Sequence, residues 1–211
     1  MKRKININLT YECNSNCRFC AANHEIAGNI GRITYDELQS ICNKWDFNMN
    51  DEIILSGGEP TIHPEFWDII EMLQKRKCKI CILTNGRQLI NNDFSNRLSH
   101  SHISRICVPI HGPEEIHDSI TRVKGSFRQT ITGLEAFNRI KGNIHLELKF
   151  VICNKNYLSI SEIIEQIICV NPNSIMMSTL FQTIFLGNLW SDRRGIHGWK
   201  NCCPYPIFSI G

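Results

Sequence analysis

The chain has 211 residues, a formal net charge of +3 and 11 cysteines, the size of one ordinary domain with room for a sizeable core. Its basic residues are scattered apart from Lys2-Arg3-Lys4 and Arg193-Arg194, which argues against a nucleic-acid-binding stripe. No signal-peptide core follows the basic start and no stretch approaches the roughly 20 apolar residues that span a membrane, so a reducing cytoplasm is expected for so many thiols.

Ile5, Ile7 and Leu9 alternate with Asn6 and Asn8, which predicts a first strand. Directly after it stands Cys13-Asn14-Ser15-Asn16-Cys17-Arg18-Phe19-Cys20. Thiols clustered in one short loop can wrap round a soft metal centre. A structural zinc needs a fourth ligand nearby, and neither Glu12 nor His24 completes a familiar zinc spacing. On a cubic iron–sulfur cluster, these cysteines would leave one iron open to another ligand. Composition and spacing leave both readings standing.

Beyond Gly28 and Gly31, Thr34 and Glu37 form a capping box for a helix with Leu38, Ile41, Cys42 and Trp45 on one face. Ile53-Ile54-Leu55 reads as a strand buried on both faces and runs into Ser56-Gly57-Gly58-Glu59-Pro60. Pro64 is placed as the first residue of a helix carrying Phe66, Trp67, Ile69, Ile70 and Leu73. A third strand, Ile80-Cys81-Ile82-Leu83, ends at Thr84-Asn85-Gly86, and residues 88–98 read as a weaker helix. The fourth, from Arg105 to Ile110, is closed by His111-Gly112-Pro113 and followed by a long polar loop. A helix with Phe127, Ile131, Leu134, Phe137 and Ile140 leads to a fifth strand from His145 to Ile152. Ser159 and Glu162 stand in capping-box register for the next helix, which buries Ile163, Ile164, Ile167 and Ile168, and Ile175-Met176-Met177 is a sixth strand.

Alternating strands and helices demand an α/β fold with parallel strands and right-handed crossovers. Periodicity alone does not separate an open sheet from a curved, incomplete barrel. In either, functional loops gather beyond the carboxyl ends of the strands, where the cysteine loop, the Gly-Gly-Glu-Pro turn, Thr84-Asn85-Gly86 and His111-Gly112 all fall. Among the other thiols, Cys78 and Cys81 are expected to point to opposite faces. Cys107 and Cys169 read as small core residues, and Cys153 lies near the rim.

The Cys-x-x-x-Cys-x-x-Cys loop with Phe19 before its last cysteine, together with Gly57-Gly58-Glu59-Pro60, resembles the radical S-adenosylmethionine (radical SAM) superfamily. The similarity runs over residues 5–155 and takes in Thr84-Asn85-Gly86, the stretch from His111 to Asp118, Gly125-Ser126-Phe127 and Val151-Ile152-Cys153-Asn154. The later group looks most like the peptide-modifying branch. The resemblance implies a partial (β/α)6 TIM-like barrel over residues 1–187. It implies a [4Fe-4S] cluster on Cys13, Cys17 and Cys20, whose open iron takes the amino and carboxylate groups of S-adenosylmethionine. It places the cofactor against Phe19, Gly57, Gly58, Glu59, Pro60, Thr84, Asn85, His111 and Arg122, the last as a partner for its carboxylate or as a solvated arginine.

The implied reaction is reductive cleavage to a 5′-deoxyadenosyl radical that abstracts hydrogen from a peptide or small polar substrate. A flavodoxin or ferredoxin would supply the electron. Where that branch has Ser-Leu-Asp-Gly this chain has Pro109-Ile110-His111-Gly112, so the serine hydroxyl is missing and His111 replaces a carboxylate. Residues 188–211, with Cys202-Cys203-Pro204, resemble the opening of an auxiliary-cluster (SPASM or Twitch) extension, as if the chain were a truncated or split form. The competing readings are a nucleoside- or RNA-modifying member, disfavoured by the lack of a basic aromatic surface, and a silent structural zinc module.

Overall fold

The computed structural model describes residues 3–20 and 31–179. The expectations placed on His24, Gly28, Arg193-Arg194, Cys202, Cys203 and the tail lie outside the described residues. Strands β1 (Arg3–Thr10), β2 (Asp51–Gly57), β3 (Lys79–Leu83), β4 (Ile103–Pro109), β5 (His145–Ile152) and β6 (Ser174–Thr179) form one parallel sheet. Their spatial order repeats their order in the chain. Every crossover then steps the same way, and right-handed crossovers put all the connecting helices on one face. That singly wound order resolves the alternative left by periodicity in favour of a partial barrel.

The helices are α1 (Tyr35–Lys44), α2 (Phe66–Lys75), α3 (Asn92–Ser99), α4 (Glu114–Thr121), α5 (Ser126–Ile140) and α6 (Ile160–Ile167). Strand residues such as Ile53, Leu55, Ile80, Ile82, Leu146 and Leu148 pack with Leu38, Phe66, Ile69, Leu134, Phe137 and Ile163 in a single core between sheet and helices. The alternate residues face the concave side, which is polar. There Ser56 Oγ lies 2.7 Å from Asn6 Oδ1 and from Asn8 Oδ1. Arg105 donates to Glu52 at 2.8 Å and to Cys81 Sγ at 3.3 Å, with Glu147 at 3.6 Å. Cys78 belongs to the helix-side core, so the two C-x-x-C thiols do face opposite ways.

The capping box forms as expected: Thr34 Oγ1 accepts from the Glu37 N–H and Glu37 Oε2 from the Thr34 N–H. Trp45 departs from the reading. The helix ends at Lys44, so Trp45 becomes its C-cap, turned out of the helical repeat and 45% exposed. Pro64 does not open α2; it lies in a turn held by His63, whose Nδ1 accepts from the Glu65 N–H, and the helix starts at Phe66. The stretch 88–98 splits into a 3-10 turn over Arg87–Ile90 and α3, because the Asn91 side chain accepts from the N–H groups of Asp93 and Phe94 and restarts the helix.

The polar loop expected after β4 contains α4, with Glu114 and Glu115 in its first turn and Ile120 fully buried. Ser159 makes no capping bond, since a 3-10 turn over Tyr157–Ser159 feeds α6 directly. Ile164 and Ile168 are 36% and 74% exposed rather than buried, because α6 stops at Ile167 and only one stripe meets the core. Cys169 is exposed too, in the turn after α6, where its thiol donates to Glu135 at 3.1 Å. No described helix is long and apolar enough to cross a membrane.

Candidate active site at the carboxyl rim of the sheet

The cysteine loop leaves β1 at the carboxyl edge, and the Gly57-Gly58 pair at the end of β2 lies against its first residues. The Gly58 N–H donates to Thr10 O at 2.7 Å and the Glu59 N–H to Glu12 O at 2.8 Å. A Cβ on Gly57 would sit 2.2 Å from Thr10 O, and one on Gly58 would sit 2.2 Å from Glu12 O. Both glycines are therefore required by the approach of two backbones. Gly57 also has φ 137°, a conformation that other residues avoid.

Glu59 is fully buried, and burial pushes its pKa up while the donors around it oppose that shift. Its Oε1 accepts from Thr61 N at 3.1 Å, Thr61 Oγ1 at 2.6 Å and Thr84 Oγ1 at 2.7 Å. Its Oε2 accepts from Asn85 N at 2.7 Å. The carboxylate thereby ties the β2 turn to the β3 turn. Pro60, buried beside it, opens the 3-10 turn over Pro60–Ile62.

The cysteine loop is held from two further sides. The Asn16 and Arg18 N–H groups donate to Thr121 O and Ile120 O, the last carbonyls of α4, at 3.0 and 2.9 Å. Arg18 Nε adds a bond to Ser119 O at 2.9 Å. On the other side Asn85 Nδ2 donates to Asn14 Oδ1 at 2.6 Å, and Arg87 Nη1 donates to Asn14 O. Arg87 is itself fixed by Gln129 Oε1 at 2.7 Å from its Nε.

Within the loop the Ser15 N–H points at Cys13 Sγ, 3.4 Å away. Burial pushes the Cys13 thiol up to about 11 and the Cys17 thiol up to about 12, and neighbouring charges on the other loop cysteines add to both shifts. The Ser15 N–H and the Asn85 side chain oppose the first shift, and the Arg122 guanidinium opposes the second. Arg122 is exposed, caps α4 and holds φ 57°.

His111 is 4% exposed and meets Phe19 edge-on, with ring centres 4.9 Å apart. His117 stacks against it at 5.5 Å and accepts from the His111 N–H through Nδ1. Burial, with His117 alongside, holds the His111 pKa down to about 3, so the ring is neutral at physiological pH. Its Nδ1 is buried and meets no hydrogen-bond partner among the described residues.

The rim thus gathers the cysteine loop, the glycine turn, Thr84-Asn85, His111 with Phe19, and Arg122. Sequence reasoning missed Asn14, Arg87 and Asn156. Asn156, fully buried, joins the loops after β4 and β5: it donates to His111 O and Val151 O and accepts from Cys153 N. An Asn three residues past a cysteine at a strand end is a turn signal that could have drawn attention to it.

The donor set fits an iron–sulfur cluster. Three thiols approach closely enough to perturb one another, and an N–H is aimed at one sulfur, as such clusters use. Among the described residues, no three His, Cys, Asp or Glu side chains converge on one ion.

The model of the radical SAM superfamily matches residues 7–166. An AdoMet-dependent heme synthase of Methanosarcina barkeri is 26% identical over 164 residues, 77% of this chain and 46% of the relative. Mycofactocin maturase MftC of Mycobacterium tuberculosis is 24% identical over 197 residues, 93% of this chain and 47% of the relative. The chain thus spans less than half the length of these curated relatives. The solved structure of native anSMEcpe with bound AdoMet and Kp18Cys peptide matches with a TM-score of 0.68 at 18% identity, over 90% of this chain and 59% of that one, a likeness of fold. With a family match spanning most of its length and a cysteine loop seated on the rim of a partial barrel, the chain belongs to the radical SAM superfamily.

Proposed function

We propose that Cys13, Cys17 and Cys20 hold a [4Fe-4S] cluster, and that the chain uses S-adenosylmethionine to modify a peptide or a small polar molecule. The observation that carries this reading is the seating of the three-cysteine loop between the Gly57-Gly58 turn, the carboxyl end of α4 and Asn85-Arg87. When bound, the cluster and S-adenosylmethionine supply reductive cleavage of a carbon–sulfur bond and hydrogen abstraction from an unreactive carbon.

The protein's part is to position. Carbonyls of the Gly57–Pro60 turn receive an ammonium group, and Glu59 serves indirectly by locking that turn to Thr84 and Asn85. Arg122, exposed beside Cys17, is the cation for a carboxylate. Phe19 and the neutral His111 form an apolar wall. A flavodoxin- or ferredoxin-type reductant and a reducing cytoplasm complete the reading. Its substrate range follows a solved relative with a bound peptide and relatives named for mycofactocin maturation and for heme synthesis.

The test is anaerobic reconstitution. The wild-type chain should take up about four irons with matching sulfide, and release 5′-deoxyadenosine on reduction with dithionite. The Cys13/Cys17/Cys20 triple alanine variant should do neither. Full iron content in that variant would sink the proposal.

A further inference from the structure

We propose that Lys149 anchors a carboxylate of the substrate on the concave face of the sheet. The proposal rests on the radical SAM reading for a substrate being there at all, and adds the chemical class of the group it must carry. Lys149 stands on β5, opposite Pro109 of β4 and Met176 of β6. Its neighbours Leu148 and Phe150 are 1% and 2% exposed in the helix-side core. Glu147, two residues earlier, faces Arg105 on the concave side, so strand alternation turns Lys149 the same way. Pro109 ends β4, which puts Lys149 near the rim that carries the cysteine loop.

Charge makes Lys149 distinctive. Toward the amino end of the strands, Lys4 pairs with Glu52 at 3.6 Å, Glu52 with Arg105 at 2.8 Å, and Arg105 with Glu147 at 3.6 Å. These two cations and two carboxylates cancel, and Lys79 beside them is exposed to solvent. Lys149, half-buried, has no carboxylate within ion-pair distance among the described residues. Burial and Glu147 push the Cys107 thiol up, and the Lys149 ammonium is the nearby charge that opposes them. Across the face, Asn6, Asn8 and Ser56 offer neutral hydrogen-bonding groups only. A partly desolvated cation that touches no carboxylate among the described residues, and that looks across to neutral polar groups, favours an anionic guest and repels a cationic one.

The measurement is brief acetylation of the wild-type chain with sulfosuccinimidyl acetate, each lysine being quantified by mass spectrometry. It is run alone and with acetyl-Gly-Glu-Gly-amide, its Gln counterpart or inorganic phosphate. The Glu peptide at saturating concentration should slow Lys149 about threefold or more, as site occupancy by mass action requires. The Gln peptide and phosphate should leave Lys149 unchanged, and exposed Lys44 and Lys75 should respond to none of them. The proposal is overturned if Lys149 is inert to the reagent, if the Gln peptide protects equally, or if every lysine is slowed alike. Protection by phosphate equal to that by the Glu peptide would overturn the carboxylate assignment. The assay needs neither iron nor S-adenosylmethionine, so its failure is distinct from a failure of cluster binding.

Discussion

Gly58→Ala isolates the contact that seats the cysteine loop. The new Cβ would lie 2.2 Å from Glu12 O and 2.7 Å from Glu12 C and Tyr11 O, all backbone atoms that no rotamer change moves away. Restoring ordinary contact requires a shift of about 1 Å between the β2 turn and the loop. That shift breaks or stretches the bonds from Gly58 N to Thr10 O and from Glu59 N to Glu12 O. Each is worth about 1 kcal/mol net, and overpacking adds about 1–3 kcal/mol, so the loss is about 3–5 kcal/mol. At roughly 2–4 °C per kcal/mol for a chain of this length, the melting temperature should fall by at least about 6 °C. The assay is anaerobic thermal unfolding of the metal-free chain by circular dichroism. Gly31→Ala, whose Cβ meets nothing within 4 Å among the described residues, is the control. A Gly58→Ala midpoint within about 2 °C of wild type would refute the idea that the glycine is needed for backbone approach.

Arg122→Gly should stabilise the chain by up to about 1 kcal/mol in urea unfolding, because φ 57° strains any residue with a Cβ, while S-adenosylmethionine binding in equilibrium dialysis weakens. A less stable glycine variant would contradict the strain. Arg105→Met leaves Glu147 without its cation and Glu52 with only the exposed Lys4, and should cost about 3–5 kcal/mol. Arg128→Met, at an exposed pair with Glu114, should cost under about 1 kcal/mol, and equal denaturation midpoints for the two would refute the distinction. Burial holds His111 and His117 down to about 3 and about 4. The unfolded chain, whose histidines titrate near 6.5, therefore binds more protons as pH falls below that value. Stability should decline from about pH 6.5 toward 4 by roughly 1.4 kcal/mol per unit per histidine. His111→Gln should remove about half of the slope contributed by this pair, and an unchanged slope would exclude His111 as a source.

Strands β1 to β5 were legible because each carries branched apolar residues on the face that meets the helices. For β5 the expected ends, His145 and Ile152, are the observed ones. What periodicity does not carry is the place where an element stops. Trp45, Ile168 and Cys169 continue an apolar pattern past the last helical turn, and all three are exposed. The missed helix α4 fails for the opposite reason. Glu114, Glu115, His117 and Asp118 make it polar, leaving Ile116 and Ile120 as its only apolar period. A proline followed by acidic residues in the first turn was nevertheless a start signal in plain view.

That missing helix also explains why the supports of the site were harder to read than its chemistry. Cysteines and paired glycines announce themselves by type. The groups that hold the cysteine loop are main-chain carbonyls at the end of α4, and any sequence that forms the helix supplies them. A helix ends with carbonyls that have no partner inside it. Here the N–H groups of Asn16 and Arg18 satisfy two of them, and the Arg18 guanidinium takes a third, at the negative end of the helix dipole. His117 and Asp118, on the same helix, face different duties: one stacks on His111, and the other accepts from Gly125, Ser126 and Phe127 to start α5. Eight residues therefore set the position of the cysteine loop, the wall beside Phe19 and the start of the next helix. A change that unwinds α4 should disturb all three together, although it touches no residue of the thiol motif itself.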